Sequence, residues 1–336
     1  MAALGAAGQQ IQAAEPQASG STASLRGLSV VSGHIAWASG TGGSWLRTTD
    51  GGAHWQAGTV AGAGHLDFRD IKAFGPDVAY LMAAGAARGI FKTSDGARHW
   101  RLQYQNLDPH FFLDSLAFWD ARHGLALGDP IDGKFLILRT EDGGEHWMPA
   151  TGTPPALAGE GGFAASGSAL MVLPGTKTAW FATGGPGGAR VFRTQDRGRN
   201  WTVTAVPMGG SASSGIFSLA FLNRRIGIAL GGDYAHPGDS GATAALTTDG
   251  GRSWRLAPAP AALGYRSAVA YAPHSRGKVV VAVGTGGTVI SRDGGQHWAA
   301  PGAPALAQSL NAVAITSNGA GWAVGPRGRI VHFQVH

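Results

Sequence analysis

An eight-residue pattern that recurs six times constrains the fold of this 336-residue chain more than any other feature. It begins with Ser or Thr, has Asp at its third position, continues through a Gly-containing turn and ends in Trp. The copies read TTDGGAHW, TSDGARHW, TEDGGEHW, TQDRGRNW, TTDGGRSW and SRDGGQHW, with their aspartates at Asp50, Asp95, Asp142, Asp196, Asp249 and Asp293. These aspartates are 44 to 54 residues apart, close to the interval of about 40–50 residues at which propeller blades repeat.

Each copy is predicted to form a tight turn between two strands. The Asp can accept hydrogen bonds from the following backbone amides, and Gly supplies the positive φ that the reversal needs. Ala97 and Arg197 stand where other copies have Gly, and either change can alter the turn type. In four copies a histidine directly precedes the Trp: His54, His99, His146 and His297. These histidines are interpreted as structural, because successive copies belong to separate blades and so would not supply ligands to one metal ion.

The strands around the repeat predict how the ring closes. Each unit contains an apolar strand, a short alternating strand, the strand that enters the repeat and the strand that carries its Trp. A seventh unit begins near Leu310 but ends at His336, one strand short. Counting back from Arg26 places the missing strand at Gln9–Ala13, and pairing it with the last blade leaves no exposed sheet edge.

The chain is therefore predicted to be all-β: a seven-bladed β-propeller of four-stranded antiparallel blades, one domain over residues 1–336. The chain contains 55 glycines and 11 tryptophans, which fits many tight turns around an aromatic core. Residues 1–8 lack a basic start and a full apolar stretch, so they are interpreted as a disordered segment or a signal-peptide remnant.

Charge and composition narrow the classes of partner. The net charge is +6, which favours an anionic partner. The basic residues are scattered singly rather than grouped in a run, so that partner is not expected to be nucleic acid. The apolar runs are strand-sized, so the protein is predicted not to be integral to a membrane. Cysteine is absent, and the chain has no metal-ligand cluster or cofactor fingerprint, so neither metal nor cofactor is expected.

The repeat aligns one inner-strand position in all seven units, near the mouth of the central channel. The aligned residues are Arg26, Arg69, Asp114, Gly167, Phe217, Arg266 and Asn311. Guanidinium groups bind carboxylate or phosphate groups in a bidentate manner, so Arg26, Arg69, Arg266 and Asn311 are predicted to form an anion site. The alternative is that these arginines pair with Asp70, Asp114 and backbone carbonyls in a solvated channel.

Five carboxylates near the longest departures from the repeat are candidates for catalysis: Asp114, Asp129, Asp132, Glu160 and Asp233. Two of them could serve as acid and base in glycoside hydrolysis. The alternative is that the Asp-Gly and Asp-Pro pairs are turn chemistry in long loops.

The chain resembles the bacterial neuraminidase repeat (BNR, or Asp-box) family in three features. They are the eight-residue pattern, called a box below, the second strands that end in AVG or ASG, and the terminal GWAVGPRGRI. Within that family the chain is most similar to proteins of the photosystem II stability and assembly factor type. The resemblance covers nearly the whole chain. It implies a non-catalytic chaperone that holds a membrane-protein intermediate through a basic face, although bacterial relatives are often named oxidoreductases or glycosyl hydrolases.

Sialidases share the Asp box and use three arginines against a sugar carboxylate. This chain differs from them, because it has no Arg-Ile-Pro segment before its first box and has seven units where six are expected. The predicted function is therefore a binding or assembly propeller with an anion-binding mouth, and the alternative is a sialidase-like glycoside hydrolase. The expected partner is a protein or an acidic carbohydrate. We expect a monomer in the periplasm or outside the cell, with the cytoplasm as the alternative.

Overall fold

The computed structural model describes residues 11–85, 89–239, 241–258 and 264–335. Almost all regular structure in these residues is strand, arranged as seven antiparallel sheets around a common centre. The predicted seven-bladed propeller is confirmed. The predictions for residues 1–8 and for Gln9 and Gln10 lie outside the described residues.

The first three blades each contain four strands, numbered from the channel outwards. They are β2 (Leu25–Val30), β3 (Ala36–Gly40), β4 (Ser44–Thr48) and β5 (Gln56–Thr59); β6 (Asp67–Ala73), β7 (Ala79–Ala84), β8 (Gly89–Thr93) and β9 (Arg101–Gln105); and β10 (Leu113–Phe118), β11 (Gly124–Ile131), β12 (Lys134–Thr140) and β13 (Met148–Pro149).

The next three blades follow the same order. They are β14 (Leu170–Val172), β15 (Ala179–Ala182), β16 (Ala189–Thr194) and β17 (Thr202–Val206); β18 (Ser214–Phe221), β19 (Gly227–Asp233), β20 (Ala244–Thr247) and β21 (Arg255–Leu256); and β22 (Ala268–Tyr271), β23 (Val280–Gly284) and β24 (Gly287–Ser291). Blade six thus has three strands instead of the expected four, because its outer strand is reduced to a bridge between Ile290 and Ala299.

Blade seven contains β25 (Ala312–Ile315), β26 (Ala320–Val324) and β27 (Ile330–Val335), and the N-terminal strand β1 completes it. The closure is as predicted, but β1 spans Ile11–Gln17 rather than Gln9–Ala13. A β-bulge interrupts the pairing between Gln12 and Glu15, and Ala13 has a φ of 49°. Counting residues along an uninterrupted ladder could not anticipate this bulge, which carries the pairing on to Gln17.

The repeat turns share one hydrogen-bond pattern. In the first, the hydroxyl of Thr48 accepts from the amide of Gly52 at 2.8 Å, and Asp50 accepts from the amide of His54 at 3.0 Å. Ala97 and Arg197 take left-handed φ values of 69° and 60°, as Gly does elsewhere. The expectation that these two residues alter the turn is wrong, because the same hydrogen bonds hold the backbone there.

The repeat histidines are held by their own turns, as the structural interpretation requires. Nδ1 of each ring contacts the carboxylate of the turn's Asp, at 2.7 Å for His54 and 2.5 Å for His297. No group of three or more potential metal ligands occurs within the described ranges. Among those same residues, no helix is long and apolar enough to cross a membrane.

Candidate ligand pocket at the mouth of the channel

Bulges in the inner strands create the site. The pairing of the first and second strands shifts register at Arg26, Arg69, Asp114 and Phe217, in blades one, two, three and five. A bulge re-aims its side chain relative to the sheet. All four residues line one pocket of about 500 Å³ at the channel end opposite the repeat turns. The sequence alignment therefore brought together four residues that the structure also brings together.

The two other polar members of the aligned ring have structural contacts. Nη1 of the buried Arg266 donates to the carbonyl of Tyr265 at 2.8 Å. Nδ2 of Asn311 donates to the carbonyl of Leu25 at 2.8 Å and so ties the last blade to the first. Only Arg26 and Arg69 of the predicted anion site are among the described residues that line the pocket.

Arg26 and Arg69 share one carboxylate, that of Asp67. Nε of Arg69 lies 2.8 Å from Oδ2 of Asp67, and Nε of Arg26 lies 3.9 Å from the same oxygen. Both arginine side chains are 32% exposed. Asp67 was not predicted from the sequence, because the bulge at Arg69 that brings the two side chains together is not visible there.

Of the alternative partners proposed from sequence, the structure shows the backbone carbonyls, bound by Arg69 and Arg266, but not the two carboxylates. Asp70 binds Lys72 at 3.0 Å and accepts from the amides of Ile71 and Leu116, both at 2.8 Å. The interpretation that the arginines pair directly with Asp70 and Asp114 is therefore wrong. The physical reason is that Lys72 and two backbone amides already hold the carboxylate of Asp70, while Asp67 holds Arg69.

Asp114 and Asp129 form the acidic side of the pocket. Asp114 is 1% exposed, and neither of its carboxylate oxygens has a hydrogen-bond partner among the described residues. Burial raises the pKa of Asp114 well above its usual range; the charge of Asp129 raises it further and that of Arg69 opposes the rise. Asp129 lies at a register shift of β11 and accepts from the amide of Gly162 at 3.1 Å. Burial also raises the pKa of Asp129.

Four aromatic rings form another wall. Phe163 stacks on Phe217 with 3.9 Å between ring centroids. Tyr234 and Tyr265 meet Phe217 edge-on, at 6.1 and 4.9 Å between ring centroids. Phe217 was found through the repeat, but the other three lie in long loops, where the repeat gives no alignment.

A segment of blade four crosses the channel and forms the floor. The carbonyl of Ala164 accepts from Arg69 of blade two at 3.4 Å, and the hydroxyl of Ser166 donates to the carbonyl of Ser267 of blade six at 2.8 Å. Gly167 packs against the carboxylate of Asp70, leaving no room there for a Cβ. We call residues 164–168 the plug, because their contacts on opposite blades close the channel that the sequence suggested would be solvated.

The remaining catalytic candidates lie outside the lining of the pocket, as far as the described residues show. Asp132 is exposed in the turn between β11 and β12. Glu160 is buried against Arg190, with 2.8 Å between Nε and Oε1, and accepts from the hydroxyl of Thr183 at 2.6 Å. Asp233 is hydrogen-bonded to its own loop and to Ser211, and a bond from Ser213 is the main cause that lowers its pKa to about 2.

Asp70 predicts a pH dependence of folding. Burial, partly offset by Lys72 and two amides, raises its pKa from 3.8 to about 6. From about pH 4 to pH 6 the folded chain retains a proton that the unfolded chain has lost, so the free energy of unfolding gains from this group as the pH falls. Urea unfolding at pH 6.5 and 4.5 should show a gain relative to Asp70→Asn of the order of 1–2 kcal/mol. Parallel pH profiles for parent and variant would contradict this assignment.

Comparisons with known proteins bear on the fold. Neither a protein-family model nor a curated protein sequence matches the chain, so the resemblance to the BNR family remains a prediction. The structure of YCF48 bound to D1 peptide is similar with a TM-score of 0.68 at 17% identity, over 96% of this chain and 97% of that chain. YCF48 from Cyanidioschyzon merolae has a TM-score of 0.66 at 15% identity, over 96% of this chain and 99% of that chain. At these identities the similarity shows the fold alone.

Proposed function

We propose that this propeller is a non-catalytic binding protein whose mouth pocket receives a segment of a partner protein. The observation that supports the proposal most directly is the pair of arginines at the pocket. Two guanidinium groups share the single carboxylate of Asp67 while each remains partly exposed. They can therefore bind a further anionic group from the partner.

The shape of the pocket favours a peptide segment. A concave volume of about 500 Å³ with an aromatic wall suits an apolar side chain beside an acidic one. A similar fold, that of YCF48, has been solved with a peptide bound. The predicted location in the periplasm or outside the cell, and the monomeric state, rest on the sequence alone and remain proposals.

The arginines of the pocket favour binding over sialidase-like glycoside hydrolysis. Sialidases use three arginines against a sugar carboxylate, whereas Arg26 and Arg69 are the only arginines among the described residues that line the pocket. The similar structures reported above are both of YCF48, and neither is named as a glycoside hydrolase.

A peptide selection tests the proposal. A displayed library of linear peptides is selected on the parent protein after depletion on the Arg26→Gln/Arg69→Gln variant. The matched control is Arg98→Gln/Arg224→Gln, which removes the same charge from two exposed arginines near the repeat turns. We expect enriched peptides to carry Asp or Glu beside an aromatic residue and to bind more weakly as salt increases.

The pocket variant should reduce affinity for such a peptide by at least about tenfold, since two charge-assisted contacts are lost. The control variant should bind within about twofold of the parent. Failure to enrich any peptide, or equal losses in both double variants, would contradict the proposed function. Thermal melting of each variant checks that the fold is intact.

A further inference from the structure

We propose that Asp114 and Asp129 form a subsite for a positively charged nitrogen group, an ammonium or guanidinium, of the ligand in the mouth pocket. The inference rests on the proposed function for the identity of the pocket and deepens it. The ligand would then carry an anionic group against Arg26 and Arg69 and a cationic group on the acidic side.

The unpartnered carboxylate of Asp114 is the main observation. Asp114 is 1% exposed, and both of its carboxylate oxygens lack a hydrogen-bond partner within the described part of the chain. A buried carboxyl group without hydrogen-bond partners is costly in either protonation state, and such groups are rare in native proteins. The bulge in β10 directs this side chain to the pocket rather than into the core between blades.

Gly162 packs against the carboxylate of Asp114. A Cβ at this position would lie 2.5 Å from Oδ2 of Asp114, so any other residue would crowd the carboxylate. The amide of Gly162 meanwhile binds Oδ1 of Asp129. Gly162 therefore orients Asp129 and lies against the carboxylate of Asp114 without a hydrogen bond to it.

The charges that face the subsite favour a cation. Arg26 and Arg69 lie against Asp67, and the pocket adds the carboxyl groups of Asp114 and Asp129, so the three acids outnumber the two arginines by one when all three are ionised. The rings of Phe163, Phe217, Tyr234 and Tyr265 line the same volume, and a ligand cation over the face of one of them is attracted to it. A cation beside carboxylates and an aromatic wall gains from both.

The raised pKa of Asp114 agrees with this geometry. Burial and the charge of Asp129 favour its neutral form in the unliganded protein. A bound cation would favour the ionised form instead. The site is therefore costly to ionise when unliganded and is completed by the ligand.

Small aromatic probes test the subsite without a partner protein. Benzamidine carries an amidinium on an aromatic ring, benzylamine carries an ammonium, and benzamide is the neutral near-isostere of benzamidine. Binding is measured by saturation-transfer NMR and calorimetry at neutral pH. We expect benzamidine, benzylamine or both to bind at least about tenfold more tightly than benzamide, and their ranking distinguishes the guanidinium from the ammonium source.

The matched variants are Asp114→Asn and Asp132→Asn, the latter an exposed carboxylate on the neighbouring turn. Asp114→Asn should abolish the preference for the charged probes and should melt at or above the parent temperature, whereas Asp132→Asn should retain the preference. Asp129→Asn should also reduce the affinity for the charged probes. Equal binding of benzamide and the charged probes, no binding of any probe, or an unchanged preference in Asp114→Asn would overturn the subsite.

The two proposals fail separately. If the selected peptides lose affinity in the arginine variant but the charged probes show no preference, only the cation subsite is wrong. If the probes show the preference but no peptide is enriched, the proposed partner is wrong and the pocket instead takes a small cation.

Discussion

Replacing Gly167 with Ala is expected to lower the free energy of unfolding by about 3 kcal/mol or more, from two contributions that the structure separates. The φ of Gly167 is +70°, a left-handed value that costs an L residue about 1–2 kcal/mol. A Cβ there would also overlap the carboxylate of Asp70, which Lys72 and two backbone amides hold in place. Chemical unfolding of parent and variant measures the difference.

Gly175→Ala is the matched control. Gly175 has a φ of +71°, but a Cβ there would meet nothing within 4 Å. It should cost only about 1 kcal/mol, from backbone strain alone. If the two variants are equally destabilised, the plug does not pack against Asp70 as described.

Replacing Gln17 with Ala should cost about 2–4 kcal/mol and tests the closure of the ring. Oε1 of Gln17 accepts from the indoles of Trp55 at 2.9 Å and Trp322 at 3.1 Å, and its Nε2 donates to the carbonyl of Gly51 at 3.1 Å. One side chain on β1 therefore joins the last blade to the first repeat turn. Its loss leaves a buried indole N–H of Trp322 without its acceptor.

Glu15→Ala controls for effects on the strand itself. Glu15 lies on the same strand, with its side chain exposed. Its replacement should change the free energy of unfolding by less than about 0.5 kcal/mol. Equal melting curves for the parent and Gln17→Ala would show that β1 contributes little to closure.

The repeat made the fold predictable because it sets strand order, strand length and the face on which each loop lies. It also predicted Arg26, Arg69 and Asp114 at one level, since their bulges recur at equivalent places. Asp67 was not predicted because it lies two residues before the aligned position, where no other unit has an acidic residue. The extent of β1 was shifted because a bulge adds residues that spacing does not show.

Most of the plug and of the aromatic wall could not be predicted, for a different reason. The repeat aligned Gly167 and Phe217, but Phe163, Ala164 and Ala165 belong to one of the longest departures from the repeat, where no other blade supplies a template. Their positions depend on contacts between residues about a hundred positions apart, such as Ser166 with Ser267. Such pairings are set by packing in three dimensions rather than by local pattern.

The plug also explains why the pocket is closed at its inner end. An open channel would expose Asp114 and Arg69 to water along the axis and weaken any electrostatic contact. With residues 164–168 across the channel, ligand groups at the mouth meet a closed floor. The same loop supplies Gly162 and Phe163, so one insertion contributes the floor, one ring of the aromatic wall and the glycine beside Asp114.

Amide hydrogen exchange of the chain with and without the most enriched acidic peptide tests most directly where the partner binds. Exchange should slow in the segments around Asp114, Gly162–Ala165, Tyr234 and Tyr265, while the repeat turns at the opposite end remain unchanged. Slowing confined to the repeat turns, or the same slowing in the Arg26→Gln/Arg69→Gln variant, would contradict this expectation.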